Sequence, residues 1–264
     1  AAFARANGVQ HCVIGGPHPM TCDTTGLHGR GVSFALAEAE LIWPSILRDA
    51  IRGELQPVYG QEQRWAEELH PPALIPPSAR DLRRYVVPML GIYPARGCPF
   101  TCNFCSVIKI AGRQIRGQAI ETTMESLRRA KAAGVRLVMF TSDNFNKYSD
   151  GPALLGQMIA ENIQIPFFVQ CDTQVARQEE FVSLLGRAGC FEMFVGVESF
   201  HRQTLIAAHK AQNHPSTYIE IVKLCRKNRI ISHFSNIIGF PEDTGAGIRE
   251  HLDILRGMRP ESAT

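Results

Sequence analysis

The chain has 264 residues, of which 45% are hydrophobic, and a formal net charge of +3. This length can bury one large core or two smaller ones, and so weak a charge, without a basic block, gives no reason to expect a nucleic-acid partner. No apolar run approaches the roughly 20 residues that cross a bilayer, and the first residues lack the pattern of a secretory signal. We therefore expect a soluble, cytoplasmic protein with neither a nucleic-acid nor a membrane partner.

The two ends of the sequence are typical of an internal piece of a longer protein. The chain opens AAFARANG, without an initiator Met, in a pattern typical of a helix already under way. It closes DILRGMRPESAT, just after a helix that should lead into another strand. We expect that parts of the functional protein lie outside these 264 residues.

The first predicted domain covers residues 1–68. It holds a short apolar strand at 10–14, the turn GGPHP at 15–19 and an amphipathic helix at 38–51. Residues 69–84 are rich in proline, which removes backbone donors and fixes φ, so we predict a linker there.

From residue 85 onward, apolar runs alternate with segments of helical period. The runs lie at 86–92, 136–141, 166–171, 191–197 and 230–238, and the helical segments at 121–133, 152–162, 178–188, 215–227 and 247–256. Short connections between them predict β–α units in a parallel sheet whose strands are buried on both faces. Five units indicate an α/β fold, a partial barrel whose sixth strand has been cut off. In such barrels ligands bind at the carboxyl ends of the strands.

Three of the eight cysteines are tightly spaced directly after the first barrel strand: Cys98, Cys102 and Cys105, in the pattern C-x3-C-x2-C. A secreted domain held by disulfides would be shorter and richer in cysteine. On a loop kept open by Gly97 and Pro99, three thiolates ligate three irons of a [4Fe–4S] cubane and leave the fourth iron free. The alternative is a zinc site, for which a distant histidine would have to supply the fourth ligand.

This loop resembles the signature of the radical SAM superfamily. The resemblance implies that the free iron chelates S-adenosylmethionine, and that reduction of the cluster by a donor such as flavodoxin or ferredoxin gives a 5′-deoxyadenosyl radical. It also implies four groups of contacts to S-adenosylmethionine. They are Phe104 in the loop, Ser142 and Asp143 after the second strand, Glu198 and Ser199 after the fourth strand, and Gly239 and Glu242 after the fifth. The sequence departs from the family where TSDN at 141–144 replaces a Gly-Gly-Glu-like segment, and where the first glycine of the fifth-strand motif is missing. The alternative for Glu198 and Glu242 is an ordinary exposed carboxylate.

The run VIGGPHP at 13–19 resembles the later part of a flavodoxin-like cobalamin-binding domain that precedes some radical SAM barrels. The resemblance implies that Gly15, Gly16, Pro17 and His18 contact cobalamin, because adjacent glycines let the backbone approach the cofactor closely. The segment EAELIWP at 38–44 fits the same family, with alanine in place of its usual glycine. The alternatives are a plain structural turn and a domain that has lost its cofactor.

Taken together, the resemblances imply a partial radical SAM (β/α)6 TIM-like barrel at 85–264, truncated at its C-terminal end. It is preceded by the C-terminal part of a flavodoxin-like cobalamin-binding domain. They imply a cobalamin-dependent methyltransferase that acts on a carbon of a small-molecule or peptide-derived substrate. Residues 106–116 further resemble the tryptophan C-methyltransferases of thiopeptide biosynthesis. The alternatives are a non-methylating cobalamin radical SAM oxidoreductase or cyclase, and a non-catalytic, metal-stabilised binding module.

Some other side chains have two interpretations. The cations of the 106–116 stretch either neutralise a ligand carboxylate or face solvent: Lys109, Arg113 and Arg116. Two side chains after the third strand, Gln170 and Asp172, either contact ligand or cap the next helix. We predict that three cysteines are small buried apolar residues: Cys171, Cys190 and Cys225. Three histidines have no ligand-like partner at short spacing, so we predict core or surface positions for them: His209, His214 and His233. We predict that Trp43 and Trp65 are packing residues.

Overall fold

The computed structural model describes residues 2–264, so the first residue of the predicted front domain, Ala1, lies outside it. The strands are β1 (Val13–Ile14), β2 (Ser33–Ala35), β3 (Val58–Tyr59), β4 (Met89–Ile92), β5 (Ala95–Arg96), β6 (Arg116–Gly117), β7 (Leu137–Phe140), β8 (Phe167–Cys171), β9 (Cys190–Glu198), β10 (Ile231–Asn236) and β11 (Ser262–Ala263). The helices are α1 (Ala2–Ala6), α2 (Pro17–Thr21), α3 (Ala39–Arg52), α4 (Ala79–Leu82), α5 (Val107–Ile110), α6 (Ile120–Ala133), α7 (Gly151–Ala160), α8 (Glu179–Ala188), α9 (Arg202–Ala207), α10 (Tyr218–Lys227) and α11 (Gly245–Met258). Across residues 2–264, none of these helices combines the length and the apolar character needed to cross a membrane.

The front of the chain forms a small parallel sheet in the order β1-β2-β3. Helix α3 packs Ile42 and Ile46 against this sheet and confirms the helix predicted at 38–51, which ends at Gly53 with a φ of 75°. The predicted strand at 10–14 is reduced to β1, and the GGPHP turn continues into the short helix α2. The central strand β2 was missed because three residues are too few to show an alternating pattern.

The rest of the chain forms a six-stranded parallel sheet in the order β4-β7-β8-β9-β10-β11. The five predicted strands and the helices between them are confirmed with shifted ends. The expectation that the sixth strand is cut off is wrong for its first residues, because β11 pairs with β10 through Phe234 and Ala263. The helices pack on one face of the sheet, where the core leucines Leu127, Leu154 and Leu185 are fully buried.

The strands are not buried on both faces, contrary to the prediction. Along β8 and β9, buried residues that pack under the helices alternate with half-buried ones such as Gln170 and Phe194. The half-buried side chains face a cavity on the concave side of the sheet. The partly filled interior follows from a barrel that is open between β4 and β11.

The proline-rich segment lacks helix and strand between residues 71 and 77, as predicted, yet it is packed against the barrel. Leu69 is buried and forms an isolated bridge with Gln118, and the Leu74 N–H donates to Ser126 Oγ of α6 at 3.0 Å. Helix α4 follows at its end, capped by Ser78.

A short antiparallel ribbon closes the cysteine loop. Strand β5 pairs with β6 through Arg96 opposite Arg116, so residues 97–115 leave the barrel and return to it at adjacent points. All three clustered cysteines lie within this excursion, which we call the cysteine loop.

Gly97→Ala is expected to lower the free energy of unfolding by at least ~3 kcal/mol. Gly97 has a φ of 101°, and an added Cβ would lie 2.2 Å from the backbone oxygen of Gln114. Gly134→Ala is the matched control: it also has a positive φ, 86°, but open space around the added carbon, so about 1 kcal/mol is expected. Urea denaturation of both variants checks this, and equal losses would contradict it.

Candidate active site

The three clustered cysteines line one cavity of about 180 Å³ on the concave face of the sheet, and we call it the cysteine cavity. Cys102 is buried, and Cys98 and Cys105 are half-buried. Among the residues that the sequence assigns to S-adenosylmethionine, Phe104, Asp143 and Glu198 line the same cavity. The structure thus brings together loop, second-strand and fourth-strand residues at the carboxyl ends of the strands, as the barrel rule predicts.

The thiols of the cavity have polar neighbours. The side-chain amide nitrogen of Asn144 lies 3.9 Å from Cys98 Sγ, and that of Gln212 lies 3.9 Å from Cys102 Sγ. Burial raises the pKa of both the Cys98 and the Cys102 thiol, while the Lys210 charge opposes the rise at Cys102. A metal bound by these thiols would therefore displace their protons, and the amide donors would then face anionic sulfur.

These residues fit a cubane held by three thiolates, because three cysteines share a cavity that also has space and polar groups for a further ligand. Within residues 2–264, no group of three or more His, Cys, Asp or Glu side chains is arranged to hold a single metal ion.

Asp172 caps a helical turn, which confirms the capping interpretation of this residue, and it also borders the cavity. Its carboxylate accepts the Gln174 N–H at 2.6 Å and the Asn144 side-chain amide at 3.0 Å. Asn146 donates to the same carboxylate at 3.3 Å. This buried network holds Asn144 against Cys98, while Gln170 lines the cavity from β8.

Glu198 is not an exposed carboxylate. It is 6% exposed and has a φ of 61°, and its Oε1 lies 2.6 Å from the ammonium of Lys210. Lys210 also lies 5.7 Å from the ring centre of Phe104, so a buried ion pair stands beside the loop aromatic. Sequence reasoning missed Lys210 because it lies in an irregular segment after α9, where no period or motif marks it.

The other predicted S-adenosylmethionine residues do not line this cavity. The Ser142 hydroxyl accepts the Ala95 N–H at 3.1 Å, and the Ser199 hydroxyl accepts the His201 N–H at 3.1 Å. Gly239 and Glu242 lie in the loop after β10, where Glu242 is exposed. The neighbouring Phe240 makes an edge contact with Phe104 at 5.9 Å, which brings this loop beside the cavity.

A second cavity, of about 620 Å³, lies between the front sheet and the barrel, and we call it the front cavity. Gly15, Gly16 and Pro17 line it, as do Ile42 and the other apolar side chains on one face of α3. On the barrel side its walls are Tyr93, Arg96, Ile110, Ala111 and Asp143.

Two side chains of the front segment, Trp43 and His18, are exposed. Trp43, which the sequence predicts to be a packing residue, is 51% exposed and lines this second cavity. His18 is exposed, does not line the cavity, and has its Nδ1 at 3.6 Å from Cys22 Sγ.

Asp143 lies on the wall of both cavities. Its carboxylate accepts the Gly97 N–H at 3.1 Å, next to the first cysteine, and burial raises the pKa of this carboxyl group. The side chain of Asp143 therefore borders both the front cavity and the cysteine cavity.

Arg116 does not serve as a free cation for a ligand or as a solvated residue. It is 6% exposed and donates to Glu38 and to the carbonyl of Ala66. Arg113 contacts the Pro99 carbonyl at 3.4 Å, within the cysteine loop. Lys109 borders a shallow surface depression instead of either cavity.

The remaining side chains divide in the same way. Cys171, Cys190 and Cys225 are buried as predicted. His233 is half-buried, and its Nδ1 lies 2.7 Å from Oε1 of Glu192, a residue 41 positions away in the sequence. Trp65 is partly exposed and donates its indole N–H to the Ile110 carbonyl at 2.9 Å, joining the front region to the cysteine loop.

The family model of the radical SAM superfamily matches residues 92–255. Bacteriochlorophyllide d C-12(1)-methyltransferase of Chlorobaculum tepidum is 28% identical over 98% of this chain and 57% of its own length. Hopanoid C-3 methylase of Methylococcus capsulatus is 31% identical over 48% of this chain and 26% of its own length. The chain thus spans little more than half the length of the first relative and about a quarter of the length of the second.

Solved structures show the same fold. The cobalamin-dependent S-adenosylmethionine radical enzyme OxsB, with aqua-cobalamin and S-adenosylmethionine bound, has a TM-score of 0.74 at 17% identity over 96% of this chain and 40% of its own. The radical S-adenosylmethionine methyltransferase TsrM of Kitasatospora setae, with cobalamin and a [4Fe–4S] cluster bound, has a TM-score of 0.62 at 19% identity over 70% of this chain and 37% of its own. The likeness to OxsB extends over the front sheet as well as the barrel.

Proposed function

Because this chain belongs to the radical SAM superfamily, we propose that Cys98, Cys102 and Cys105 hold its [4Fe–4S] cluster and that S-adenosylmethionine fills the adjoining space. We further propose that the front cavity binds cobalamin and that the protein methylates a carbon of a small-molecule or peptide-derived substrate. An electron donor such as flavodoxin or ferredoxin serves as its partner.

The observation that carries this proposal is the adjacency of the two cavities. They share Asp143, one is lined by three thiols and the other by an apolar helix face and the Gly15–Gly16 turn. A reaction that moves a one-carbon group between two cofactors and a substrate requires binding sites that open toward one another.

In this proposal, the residues of the chain bind and orient the cofactors. The three thiolates would hold the cluster and leave one iron open to the amino-acid end of S-adenosylmethionine. Phe104 would pack beside the adenine, and the Glu198 carboxylate would bind the ribose. The buried walls exclude water from reactive species. When bound, the cluster supplies one-electron reduction and cobalamin supplies methyl-group chemistry.

Methyl transfer is favoured over oxidation or ring formation by the relatives. The proteins of Chlorobaculum tepidum and Methylococcus capsulatus are named as methyltransferase and methylase, and the match to the first of them covers 98% of this chain. The tryptophan 2-C-methyltransferase of Streptomyces laurentii is 23% identical over 66% of this chain and 31% of its own length.

Anaerobic reconstitution tests the proposal. We expect about four irons per chain, a brown absorbance near 400 nm and retention of hydroxocobalamin through gel filtration. With S-[methyl-¹³C]adenosylmethionine and reduced flavodoxin, the ¹³C label should reach the extracted corrinoid. Tight binding of one zinc by four side chains would instead identify a binding module, and a cobalamin-loaded protein that never moves the label would indicate the oxidoreductase alternative.

Ala50→Trp is expected to weaken hydroxocobalamin binding at least about tenfold, because Ala50 lies on the α3 face that lines the front cavity and the indole would fill it. Arg52→Trp, on the exposed end of the same helix, is the control and should bind normally. Absorbance titration measures both, and the iron content should be unchanged. Equal affinity of the two variants would place cobalamin elsewhere.

A further inference from the structure

A single buried carboxylate joins the front segment to the base of the cysteine loop. Glu38 is 8% exposed, and its two oxygens accept hydrogen bonds from Arg116 at 2.6 and 2.9 Å. Arg96 donates to the same carboxylate at 3.3 Å, and the Ala66 N–H does so at 2.8 Å. Two guanidinium groups and a backbone donor thus converge on one side chain.

The two arginines are the facing pair of the ribbon that closes the cysteine loop. Arg96 directly precedes Gly97 and Cys98, and Arg116 also donates to the Ala111 carbonyl of the loop at 2.7 Å. Like charges that face each other across a strand pair repel, so this ribbon needs an anion between its arginines. Glu38 supplies that anion from outside the barrel.

We propose that Glu38 is a positioning residue that holds the cysteine loop in its cluster-binding shape, so that the front segment governs how firmly the cluster is retained. This inference rests on the proposed cluster at the three cysteines. It assigns to the front segment a task besides forming a cavity.

Glu40 provides a matched control two residues away. Its side chain is 29% exposed and binds Arg96 at 2.8 and 3.2 Å, and it has no hydrogen bond to Arg116. Glu40→Gln therefore removes one charge from the same region while leaving Glu38 in contact with both facing arginines.

The experiment measures how fast an iron chelator strips the reconstituted cluster. We expect Glu38→Gln to lose iron at least about tenfold faster than wild type, since removal of one partner leaves buried charge uncompensated. Glu38→Asp, which keeps the charge, should recover most of the retention, and Glu40→Gln should stay within about twofold of wild type. The electron paramagnetic resonance spectrum of the reduced cluster should change in Glu38→Gln and remain unchanged in Glu40→Gln.

The possible results separate this inference from the proposed function. If wild-type protein takes up no four-iron cluster, both are wrong. If wild type holds the cluster and Glu38→Gln releases it at the wild-type rate, or Glu40→Gln releases it as fast as Glu38→Gln, only the inference is overturned. Should Glu38→Gln not fold, Arg116→Lys decides, because it keeps a positive charge beside Glu38 but loses the forked contact with that carboxylate. A wild-type rate of iron loss in Arg116→Lys would then overturn the inference, and faster loss would support it.

Discussion

Alanine at Cys98, Cys102 or Cys105 is expected to lower the iron content of the reconstituted protein from about four per chain to below about one. These thiols share one cavity, and no other cysteine of the chain lies within the loop that presents them. Loss of any one leaves two ligands, which hold a cubane poorly. Iron and sulfide analysis, together with absorbance near 400 nm under anaerobic conditions, measures the loss. Chemistry that depends on S-adenosylmethionine should disappear with the iron.

Two other cysteines provide the control. Cys190 and Cys225 are buried in the core beneath the sheet, and their alanine variants remove a small apolar group without touching the cavity. Each should cost about 1 kcal/mol of stability and leave the iron content unchanged. Iron loss in these variants, or full iron in a loop variant, would show that the loop cysteines are not the ligands.

Lys210→Met is expected to lower the free energy of unfolding by about 3 kcal/mol. Lys210 and Glu198 form a 2.6 Å ion pair whose side chains are 10% and 8% exposed, so removal of the ammonium strands a buried carboxylate. The same substitution should weaken S-adenosylmethionine binding at least about tenfold, because Glu198 loses the partner that fixes its position in the cavity. Denaturation curves and calorimetric titration of the reconstituted protein give the two quantities.

A surface pair and a double variant test the physical reason. Lys223 and Glu220 also lie 2.7 Å apart, but their side chains are 62% and 50% exposed, so Lys223→Met should cost no more than about 0.5 kcal/mol. Combining Lys210→Met with Glu198→Gln removes the stranded charge and should restore most of the stability without restoring binding. A double variant that binds normally, or a single variant as stable as Lys223→Met, would contradict the assignment.

Regular local patterns are what made much of the barrel predictable. The strands between β4 and β10 show as apolar runs, and the helices between them show their period. The cysteines were found for the same reason, because their whole pattern lies within eight neighbouring residues.

The parts that escaped prediction depend on contacts between distant residues. Glu38 and Arg116 are 78 positions apart, and nothing near either residue marks the other as its partner. Lys210 reaches Glu198 from an irregular segment. Ser142 and Ser199 follow strands as predicted, but the hydrogen bonds that turn their hydroxyls toward backbone become visible only in three dimensions.

The ribbon of β5 and β6 has a consequence for how this protein tolerates change. Residues 97–115 leave the barrel and return to it at facing positions of the ribbon. An insertion or a deletion within this segment therefore leaves the spacing of β4 and β7 unchanged. The surroundings of the proposed cluster can therefore be changed by insertion or deletion while the barrel keeps its structure. Grafting such a segment between related proteins should succeed only when the recipient also offers a carboxylate to its two basal arginines.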